Sequence, residues 1–529
     1  MPIYLGFDSS TQSLTATAIE IDGDRRSVIA TRTFQFDEAL PSYGTHHGVL
    51  PSRDGAVVHA PPIMWAEAME LMFDALTTEH DLDWQQLRAI SGSAQQHGSV
   101  YLNADATSRL GNLRTDRSIK EQIADTLSRS TAPVWMDSST TLECRAIEAA
   151  LGGAAALAQL TGSRAFERFT GPQIRRFADR EPDHYARTDR IHLVSSWLAS
   201  LLAGAHAPID RGDGSGMNLM ELATGQWSRA AIDATAPQLA GKLPALVPSS
   251  SVVGTLAPFW TRRFNLPGAR IVAWSGDNLC SLIGTGLIRE GQIAISMGTS
   301  DTIFGVMSKP SVSLDGTGHV FASPTGEFMG MTVFKNGSLA RERIRNACGL
   351  DWDGFSDALR RTPPGNGGAM MLPWFEPEIT PPVLTPGVRT TGLSEPPGPG
   401  HVRAVIEAQM MSMSLHSRWM RVTPSEIRAT GGAGSNREIM QVAADVFGVP
   451  VQRLQQANSA ALGAALRAWH ADALADGSPV AWRDIVAGFT DPVTGSRVAP
   501  IPANVEIYRR AVREFEDWHS RALSEISRP

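Results

Sequence analysis

One pattern occurs twice in this 529-residue chain and restricts its fold more than any other feature. Residues 3–7 alternate in side-chain character, the polar turn DSSTQS follows, and alternation resumes at Leu14. The same plan returns at residues 292–306 as QIAIS, the turn MGTS and DTIFGV. A period of two on both sides of a short turn predicts a β-hairpin. Two hairpins of one plan predict two related halves.

Helical periodicity separates the predicted strands, which favours an α/β protein whose sheets are mixed because of the hairpins. The helical patterns cover residues 62–78, 138–160, 191–204, about 401–421 and about 504–526. A stretch rich in Pro, Gly and Ser near 243–268 predicts a domain boundary. Another, at 363–400, is expected to run over the surface. Ser435 and Glu438 have the spacing of a capping box at a helix start.

Composition excludes several classes of protein. Hydrophobic residues make up 42% and charged residues 19%, which is globular composition and excludes general disorder. The net charge of −7 argues against a basic surface for nucleic acid. Three widely spaced cysteines form neither a disulfide framework nor a zinc motif and suit a reducing compartment. The N-terminus lacks a signal-peptide pattern and the apolar stretch 193–207 is too short to span a bilayer, so we expect a cytoplasmic protein without a membrane partner.

Four loops rich in glycine or hydroxyl residues directly follow predicted strands. They are DSSTQS at 8–13, SGDN at 275–278, MGTS at 297–300 and TGGAGSN at 430–436. Loops in this position are where α/β proteins bind ligands. The chain has no GxxxxGK[ST] and no GxGxxG after a strand, so P-loop and Rossmann sites are not indicated. Backbone N–H groups of such turns can still hold phosphate without a lysine.

The first loop begins with a carboxylate at the end of a strand. Asp8 could hold Mg²⁺ through water, because Mg²⁺ sheds its hydration shell reluctantly. Thr11 and Gln12 would then reach phosphate oxygens. The alternative is an Asx turn that only closes the hairpin.

Three polar residues are candidates for work on a hydroxyl compound. Asp277 could accept a hydroxyl proton, or it could cap the helix that follows. His97, in AQQHG, could bond a sugar hydroxyl or could be a satisfied polar residue. Arg168, in FERFTG, could anchor a polar ligand or pair with a nearby acid.

The glycine-containing turns of the second half are candidates for nucleotide binding. Gly298, Thr299 and Ser300 could bind phosphate or could simply join two strands. Gly431 and Gly432 precede a predicted helix, where adjacent glycines permit close approach of backbone to a nucleotide. A tight turn without a ligand is the alternative.

Taken together and in this order, the motifs resemble the FGGY carbohydrate kinases of the actin-like ATPase superfamily. The resemblance covers about residues 3–470. It is carried by LGFDSSTQSL, AQQHGS, PVWMDSST, SRAFERFTG, PIDRGDGSGMNL, SGDN, ISMGTSDTIF, FKNGS, ATGGAGSNREIMQVAADVFGVPV and ANSAALGAALRA.

The resemblance implies an α/β fold of two actin-like (ribonuclease H-like) lobes with a central cleft. We expect an N-terminal, sugar-binding lobe at 1–262, a C-terminal, nucleotide-binding lobe at 263–500 and a C-terminal helix at 501–529. The implied reaction is ATP-dependent phosphorylation of D-xylulose to D-xylulose 5-phosphate, with Mg²⁺. Another ketose or polyol is the alternative substrate, and a non-catalytic actin- or Hsp70-like ATPase or a sugar sensor is the remote alternative. Nucleic acid is not an expected partner, and a homodimer is left open.

Residue by residue, the resemblance implies the following roles. Asp277 matches the catalytic base. The sugar-binding positions are His97, Arg168, Asp277 and Asn278. The nucleotide-binding positions are Thr11, Gln12, Gly298, Thr299, Ser300, Trp352, Gly431, Gly432 and Asn436, with Trp352 beside adenine. Asp8 matches the Mg²⁺ position, reached through water.

Overall fold

The computed structural model describes residues 1–23, 25–79, 82–454 and 458–526. Residues 527–529 of the predicted C-terminal segment lie outside that description, as does Ala457, where one of the resembling stretches begins.

The strands are β1 Ile3–Ser9, β2 Ser13–Asp22, β3 Arg25–Gln35, β4 His59–Ala60, β5 Leu87–Ala94, β6 Ser99–Leu102, β7 Ala132–Pro133, β8 Arg190–Leu193, β9 Ile209–Asp210, β10 Met220–Glu221, β11 Gln226–Trp227, β12 Leu246–Val247, β13 Val252–Thr255, β14 Arg270–Val272, β15 Ser275–Gly276, β16 Gln292–Met297, β17 Asp301–Met307, β18 His319–Ala322, β19 Phe328–Phe334, β20 Met370–Leu372, β21 Arg389–Thr391, β22 Glu426–Thr430 and β23 Val451–Arg453.

The α-helices are α1 Phe36–Ala39, α2 Pro62–Glu79, α3 Asp105–Gly111, α4 Ile119–Ile123, α5 Thr141–Ala150, α6 Ala154–Thr161, α7 Thr170–Arg180, α8 Pro182–Arg187, α9 Val194–Ala203, α10 Arg211–Ser215, α11 Arg229–Thr235, α12 Pro258–Arg263, α13 Asp277–Gly284, α14 Ser338–Ala347, α15 Trp352–Arg361, α16 Pro399–His416, α17 Arg437–Phe447, α18 Ser459–Ala475, α19 Trp482–Val486 and α20 Pro502–Ile526.

The chain divides into two compact units, and neither is continuous in sequence. Unit 1 contains Met1–Ile288, Phe321–Phe328 and Ala457–Thr490. Unit 2 contains Arg289–Val320, Met329–Gln456 and Asp491–Pro529.

Unit 1 is built on a mixed sheet with the strand order β13-β14-β5-β1-β2-β3, and β15 also pairs with β5. β1 is antiparallel to β2 and parallel to β5. The apolar side chains of β1 that alternate in sequence, Leu5 and Phe7, are fully buried in the main core of this unit. Trp274 stacks on Phe7 with ring centroids 5.7 Å apart. The period of two therefore reflects a real buried face of the sheet.

Helix α18 packs against β1 and α13 through small residues. A Cβ on Gly6 of β1 would stand 2.1 Å from the carbonyl oxygen of Ala461. A Cβ on Gly463 would stand 1.9 Å from the carbonyl oxygen of Cys280 in α13. Because a Cβ cannot approach backbone so closely, glycine at these points brings α18 against the strand and helix that carry the candidate site residues.

Unit 2 repeats the same plan. Its sheet contains β19, β17, β16, β22 and β23 side by side in that order. β16 is antiparallel to β17 and parallel to β22, as β1 is to β2 and β5. The predicted repeat of two hairpins is thus confirmed as a repeat of sheet topology. The core of this unit contains Ile293 and Ile295 of β16 and buried residues of α16 and α17.

Several predicted elements differ from the structure. The helical pattern at 138–160 is two helices, α5 and α6, which are interrupted at Gly152 and Gly153, both with positive φ. The pattern at 191–204 begins as strand β8, because residues 190–193 pair with β6. The stretch near 243–268 lies inside unit 1, where β13 pairs with β14.

The compact units also divide the chain differently from the predicted lobes. The chain first crosses from unit 1 to unit 2 after Ile288 and not near residue 262, because β14 and β15 pair with β5 of unit 1. Residues 458–490 belong to unit 1, since α18 packs on β1. Among the described residues, none of the helices combines the length and the apolar character needed to cross a membrane.

Candidate active site

Asp8 is held from the neighbouring parallel strand of unit 1. β1 and β5 pair with Asp8 in register with Ser93, and Ser93 Oγ donates to Asp8 Oδ1 at 2.8 Å. Burial raises the pKa of Asp8 to about 6, while the Ser93 hydrogen bond acts in the opposite direction. Asp8 is therefore a carboxyl group with one fixed oxygen at the carboxyl end of a strand, where α/β sheets bind ligands.

The turn after Asp8 contains the other two residues predicted for this loop. Thr11 Oγ1 accepts a hydrogen bond from Trp135 Nε1 at 2.7 Å. The Gln12 carbonyl accepts from the N–H of Phe36 at 2.8 Å, and the Gln12 residue is exposed. Gly48 has a φ of +77°, and a Cβ there would stand 1.9 Å from the Thr11 carbonyl oxygen. The turn is thus fixed on both sides while Gln12 remains accessible.

Asp277 begins α13, directly after β15. Its Oδ1 accepts from the N–H of Asn278 at 2.8 Å. Burial raises the pKa of Asp277 to about 7, and the negative charge of Asp8 raises it further. Backbone hydrogen bonds from Asn278 and Gln96 lower it. Asn278 Nδ2 donates to Gln96 Oε1 at 3.0 Å, which ties the start of the helix to the loop after β5.

His97 is fixed in one orientation by its ring and its backbone. Its Nδ1 lies 2.8 Å from the carbonyl oxygen of Gly216. A carbonyl oxygen only accepts, so Nδ1 carries the proton and Nε2 is left as an acceptor. Burial lowers the pKa of His97 to about 3, and the positive charge of Arg168 lowers it further, so the ring is neutral. The ring stacks on Phe169 with centroids 4.3 Å apart, and Thr170 Oγ1 donates to the His97 carbonyl.

Arg168 lies close to His97 and packs on aromatic rings. Its guanidinium carbon stands 5.2 Å from the ring centre of Phe166 and 5.8 Å from that of Phe169. Burial lowers the pKa of Arg168, whereas the negative charge of Glu167 raises it. The guanidinium is thus partly desolvated and lies within cation–π distance of two aromatic rings.

The ends of β1, β5 and β15 bring these side chains to one edge of the unit 1 sheet. β15 pairs with β5 at Ser275 and Ser93, and β5 pairs with β1 at Ser93 and Asp8. Asp8 and Asp277 interact electrostatically, as do His97 and Arg168. The parallel pairing of three strands explains why Asp8, Asp277 and the loop of His97 meet, whereas Arg168 comes from the turn before α7.

In unit 2, Gly298, Thr299 and Ser300 form the turn between β16 and β17. β16 and β17 pair up to Met297 opposite Asp301, so the turn is short. Thr299 and Ser300 are exposed. The Gly298 carbonyl accepts from the N–H of Ser338 at 2.8 Å.

A buried ion pair supports this turn. Arg341 donates to both carboxylate oxygens of Asp301, at 2.7 and 3.0 Å, and both side chains are 1% exposed. Arg341 also donates to the Gly298 carbonyl at 3.3 Å. Burial raises the pKa of Asp301, and Arg341 acts in the opposite direction. Bidentate geometry of this kind fixes orientation as well as charge.

Gly431 and Gly432 follow the strand next to that turn. β16 and β22 pair in parallel up to Ser296 opposite Thr430. Gly431 has a φ of +79°, and a Cβ there would stand 2.4 Å from the Met297 carbonyl oxygen. Gly432 has open space where a Cβ would be. The structure therefore places the two predicted nucleotide loops of unit 2 side by side, and Gly431 is required by close backbone approach.

Asn436 caps α17 and connects it to the helix of Trp352. Asn436 Oδ1 accepts from the N–H of Glu438 and of Ile439, at 3.0 and 3.1 Å. Its Nδ2 donates to Ser356 Oγ at 2.8 Å, one turn after Trp352 in α15. The Trp352 residue is 42% exposed. Asn436 thus has a structural function that is independent of any nucleotide.

The predicted capping box is wrong by one residue. Asn436 is the N-cap of α17, and Ser435 lies in a 3-10 turn, where its hydroxyl donates to the Gly432 carbonyl. Asparagine can occupy an N-cap as well as serine, and the hydroxyl is used by the preceding turn.

Several residues at these sites were not singled out from the sequence. They are Ser93, Gln96, Asp301 and Arg341. Gln96 lies in the AQQHGS motif and Asp301 in ISMGTSDTIF, but a residue type in a motif does not show where its side chain points. The described residues contain no group of three or more histidine, cysteine and carboxylate side chains arranged to hold a metal ion.

The chain is similar to known carbohydrate kinases in sequence and in fold. Two models of the FGGY family of carbohydrate kinases match the chain, the N-terminal domain at 129–284 and the C-terminal domain at 293–471. Xylulose kinase of Mus musculus is 41% identical over 99% of this chain and 95% of its own. Xylulose kinase 2 of Arabidopsis thaliana is 42% identical over 88% of this chain and 87% of its own. The crystal structure of xylulose kinase from Rhodospirillum rubrum, 20% identical, superposes with a TM-score of 0.82 over 99% of this chain and all of that one.

The chain belongs to the FGGY family of carbohydrate kinases. It is a sugar kinase with the two-domain α/β fold of the actin-like ATPases, and ATP is the phosphoryl donor that this class of enzyme implies.

Proposed function

We propose that this sugar kinase transfers the γ-phosphoryl group of ATP to the 5-hydroxyl of D-xylulose and gives D-xylulose 5-phosphate. The observation that carries the proposal is the edge of unit 1, where the half-buried carboxyl group of Asp277 is hydrogen-bonded to the backbone of Gln96. The next residue is His97, whose neutral ring is close enough to Arg168 to feel its charge. The mouse and Arabidopsis relatives are xylulose kinases, which supports the choice of sugar.

Asp277 would act as the general base. Its pKa of about 7 is close to neutral pH, where a base combines a sufficient ionised fraction with proton affinity. Asp277 would orient the 5-hydroxyl and take its proton as the new bond to phosphorus forms. Asn278, fixed by Gln96, would hold a neighbouring hydroxyl.

His97 and Arg168 would select the sugar. The free Nε2 of His97 accepts a hydrogen bond, so it would bind a sugar group that donates, namely a hydroxyl. Arg168 only donates and would bind a hydroxyl or carbonyl oxygen. A site built to bond particular groups discriminates against sugars that lack them, because its buried polar atoms would stay unpaired.

The turns of unit 2 would bind the nucleotide. N–H groups of Gly298, Thr299 and Ser300 would bind phosphate oxygens, and Gly431 and Gly432 would allow backbone to approach the adenosine. Trp352, exposed and tied to Asn436 through Ser356, would lie beside adenine. In unit 1, Thr11 and Gln12 would contribute to the phosphate site.

Asp8 fits a magnesium ion that is held through water. Mg²⁺ keeps several waters and is bound through one or two carboxylates together with substrate phosphates, and Asp8 supplies one half-buried carboxyl group near a strand end. When bound, Mg²⁺ would neutralise charge on the phosphates during transfer. We further infer a cytoplasmic location, because the three cysteines are free thiols, which suits a reducing compartment.

A coupled ADP-release assay over ketopentoses, ketohexoses and polyols tests the proposal. D-xylulose is expected to give the highest kcat/KM and a product phosphorylated at the 5-position. ADP release that no sugar stimulates would contradict the kinase reaction. A higher kcat/KM for another ketose or a polyol would contradict the choice of sugar alone.

A further inference from the structure

Three carboxyl groups lie close together in unit 1, two of them fully buried and the third, Asp277, half-buried, and the proposed reaction uses only Asp277. Asp210 ends β9 and Asp213 lies in α10; the two residues are 0% and 1% exposed. The charges of Asp210 and Asp277 both act on Asp213. Burial of an ionised carboxylate is costly unless donors or a cation compensate it.

Hydrogen-bond donors are distributed unequally among the three groups. Asp210 accepts from the hydroxyls of Ser249 and Ser275 and from the N–H of Asp213. Asp277 accepts backbone hydrogen bonds, from Asn278 among others.

Asp213 has far fewer donors. Its Oδ2 accepts from Ser195 Oγ at 2.5 Å. Its Oδ1 is buried and has no hydrogen-bond partner within the part of the chain that the structure describes. Of the three groups, Asp213 is therefore the one in which a negative charge is least compensated.

The position of that oxygen links Asp213 to the base. Asp213 Oδ1 lies 3.0 Å from where a Cβ of Gly276 would stand. Gly276 is the residue directly before Asp277. The Gln96 side chain approaches the same point, with Cγ at 2.9 Å, and the backbone of Gln96 is hydrogen-bonded to Asp277. Asp213 thus borders the backbone that positions the base.

The nearby cation cannot neutralise all three carboxylates. Arg467 of α18 is 1% exposed and acts electrostatically on Asp213. Its guanidinium donates to the carbonyl oxygens of Ala273 and Ser249, at 2.7 and 3.1 Å. One positive charge that is directed at carbonyl groups leaves an excess of negative charge if Asp210, Asp213 and Asp277 are all ionised.

We propose that Asp213 is a positioning residue that carries a proton in the working enzyme, and that its neutral carboxyl group allows Asp277 beside it to bear the negative charge of the base. The inference rests on the proposed function only in that Asp277 is named there as the base. Ionisation of Asp213 would place a second negative charge close to Asp277.

The direction of the pKa values agrees with this geometry. Burial raises the pKa of Asp213 to about 8, and the negative charges of Asp210 and Asp277 act in the same direction. The hydrogen bond from Ser195 and the positive charge of Arg467 act in the opposite direction. The pKa of Asp277 is about 7. Because, among the described residues, Asp277 accepts several backbone hydrogen bonds and Asp213 accepts only one, from Ser195, a negative charge is better compensated on Asp277 than on Asp213.

The first test compares kcat/KM for the best sugar at about pH 7.5 and about pH 9. In the wild-type enzyme kcat/KM should be roughly tenfold lower at the higher pH, because that pH lies about one unit above the pKa of Asp213, the group that must stay protonated. In Asp213→Asn the ratio between the two pH values should stay within about twofold, because the amide cannot ionise. In Ser195→Ala the fall should move to higher pH, because the ionised carboxylate loses its donor.

A wild-type ratio without a fall, or an Asp213→Asn ratio equal to that of wild type, would overturn the proposal. A purely structural role of Asp213 would change stability or overall rate and leave the shape of the pH profile unchanged.

The second test needs no substrate, so it remains decisive if the proposed reaction is wrong or if Asp213→Asn does not fold. Infrared difference spectra of the full chain at neutral and alkaline pH should show a protonated carboxyl band that disappears near pH 8. The loss of this band should move to higher pH in Ser195→Ala. Identical titration of the band in Ser195→Ala and in wild type would overturn the assignment to Asp213.

Discussion

At the residue scale, the candidate site depends on which atom of each side chain is left free. His97 is an example, because the Gly216 carbonyl fixes the proton on Nδ1 and leaves Nε2 as an acceptor. The sequence predicted His97 as a sugar contact but did not show whether its free ring nitrogen would donate or accept a hydrogen bond. The reason is that Gly216 is remote in the chain and meets His97 only through folding.

We predict that Asp277→Asn binds sugar and loses turnover by about 10²–10⁴-fold, the usual contribution of a general base. The amide retains the volume and an acceptor oxygen but cannot take a proton. Calorimetric titration with D-xylulose and the ADP-release assay measure the two effects.

The matched control for this prediction is Asp116→Asn, which changes an exposed carboxylate paired with Arg114. Its kcat should match that of the wild-type enzyme. Turnover by Asp277→Asn that approached the wild-type value would remove Asp277 from the mechanism.

At the element scale, strand ends assemble the site and glycines set the spacing. The hairpins, α2 and the long C-terminal helix could be predicted from periodicity, since a buried face leaves a regular pattern in sequence. Strand β8 could not, because its four residues lead directly into α9 and only pairing with β6 distinguishes them from that helix. The capping of α17 by Asn436 is likewise seen only in the structure, where Asn436 Oδ1 accepts from two backbone N–H groups and Nδ2 donates to Ser356.

We predict that Gly463→Ala lowers both stability and turnover. The added methyl group would stand 1.9 Å from the Cys280 carbonyl oxygen, so α18 and α13 must separate, at a cost of about 1–3 kcal/mol. Because α13 begins at Asp277, its displacement should also reduce kcat. Thermal unfolding and the ADP-release assay measure the two changes.

Gly241→Ala is the control for Gly463→Ala. It adds the same methyl group where no atom lies within 4 Å and φ is not positive. A melting temperature and kcat for Gly463→Ala equal to those of this control would show that the close approach of the two helices is not required.

At the scale of the whole molecule, each of the two units is built from three separate segments of the chain. We predict that a chain ending at residue 456 loses slow amide exchange in β1 and β5, because α18 is missing and the face of β1 that contains Tyr4 and Gly6 is uncovered. A chain ending at residue 490 keeps unit 1 complete and should retain that protection. Hydrogen exchange followed by mass spectrometry measures both chains, and equal protection in the two would contradict the assignment of 458–490 to unit 1.

The sequence by itself determined the α/β class, the two hairpins, the family resemblance and most candidate residues, because local periodicity and turn chemistry leave their mark on consecutive residues. Only the tertiary structure decided that residues 458–490 complete unit 1, that Asp8, Asp277 and His97 meet at one sheet edge, and that Asp213 is buried beside the base. These outcomes depend on parallel pairing, helix packing and loss of water around charged groups. Such effects join residues far apart in the chain, so no local pattern reveals them.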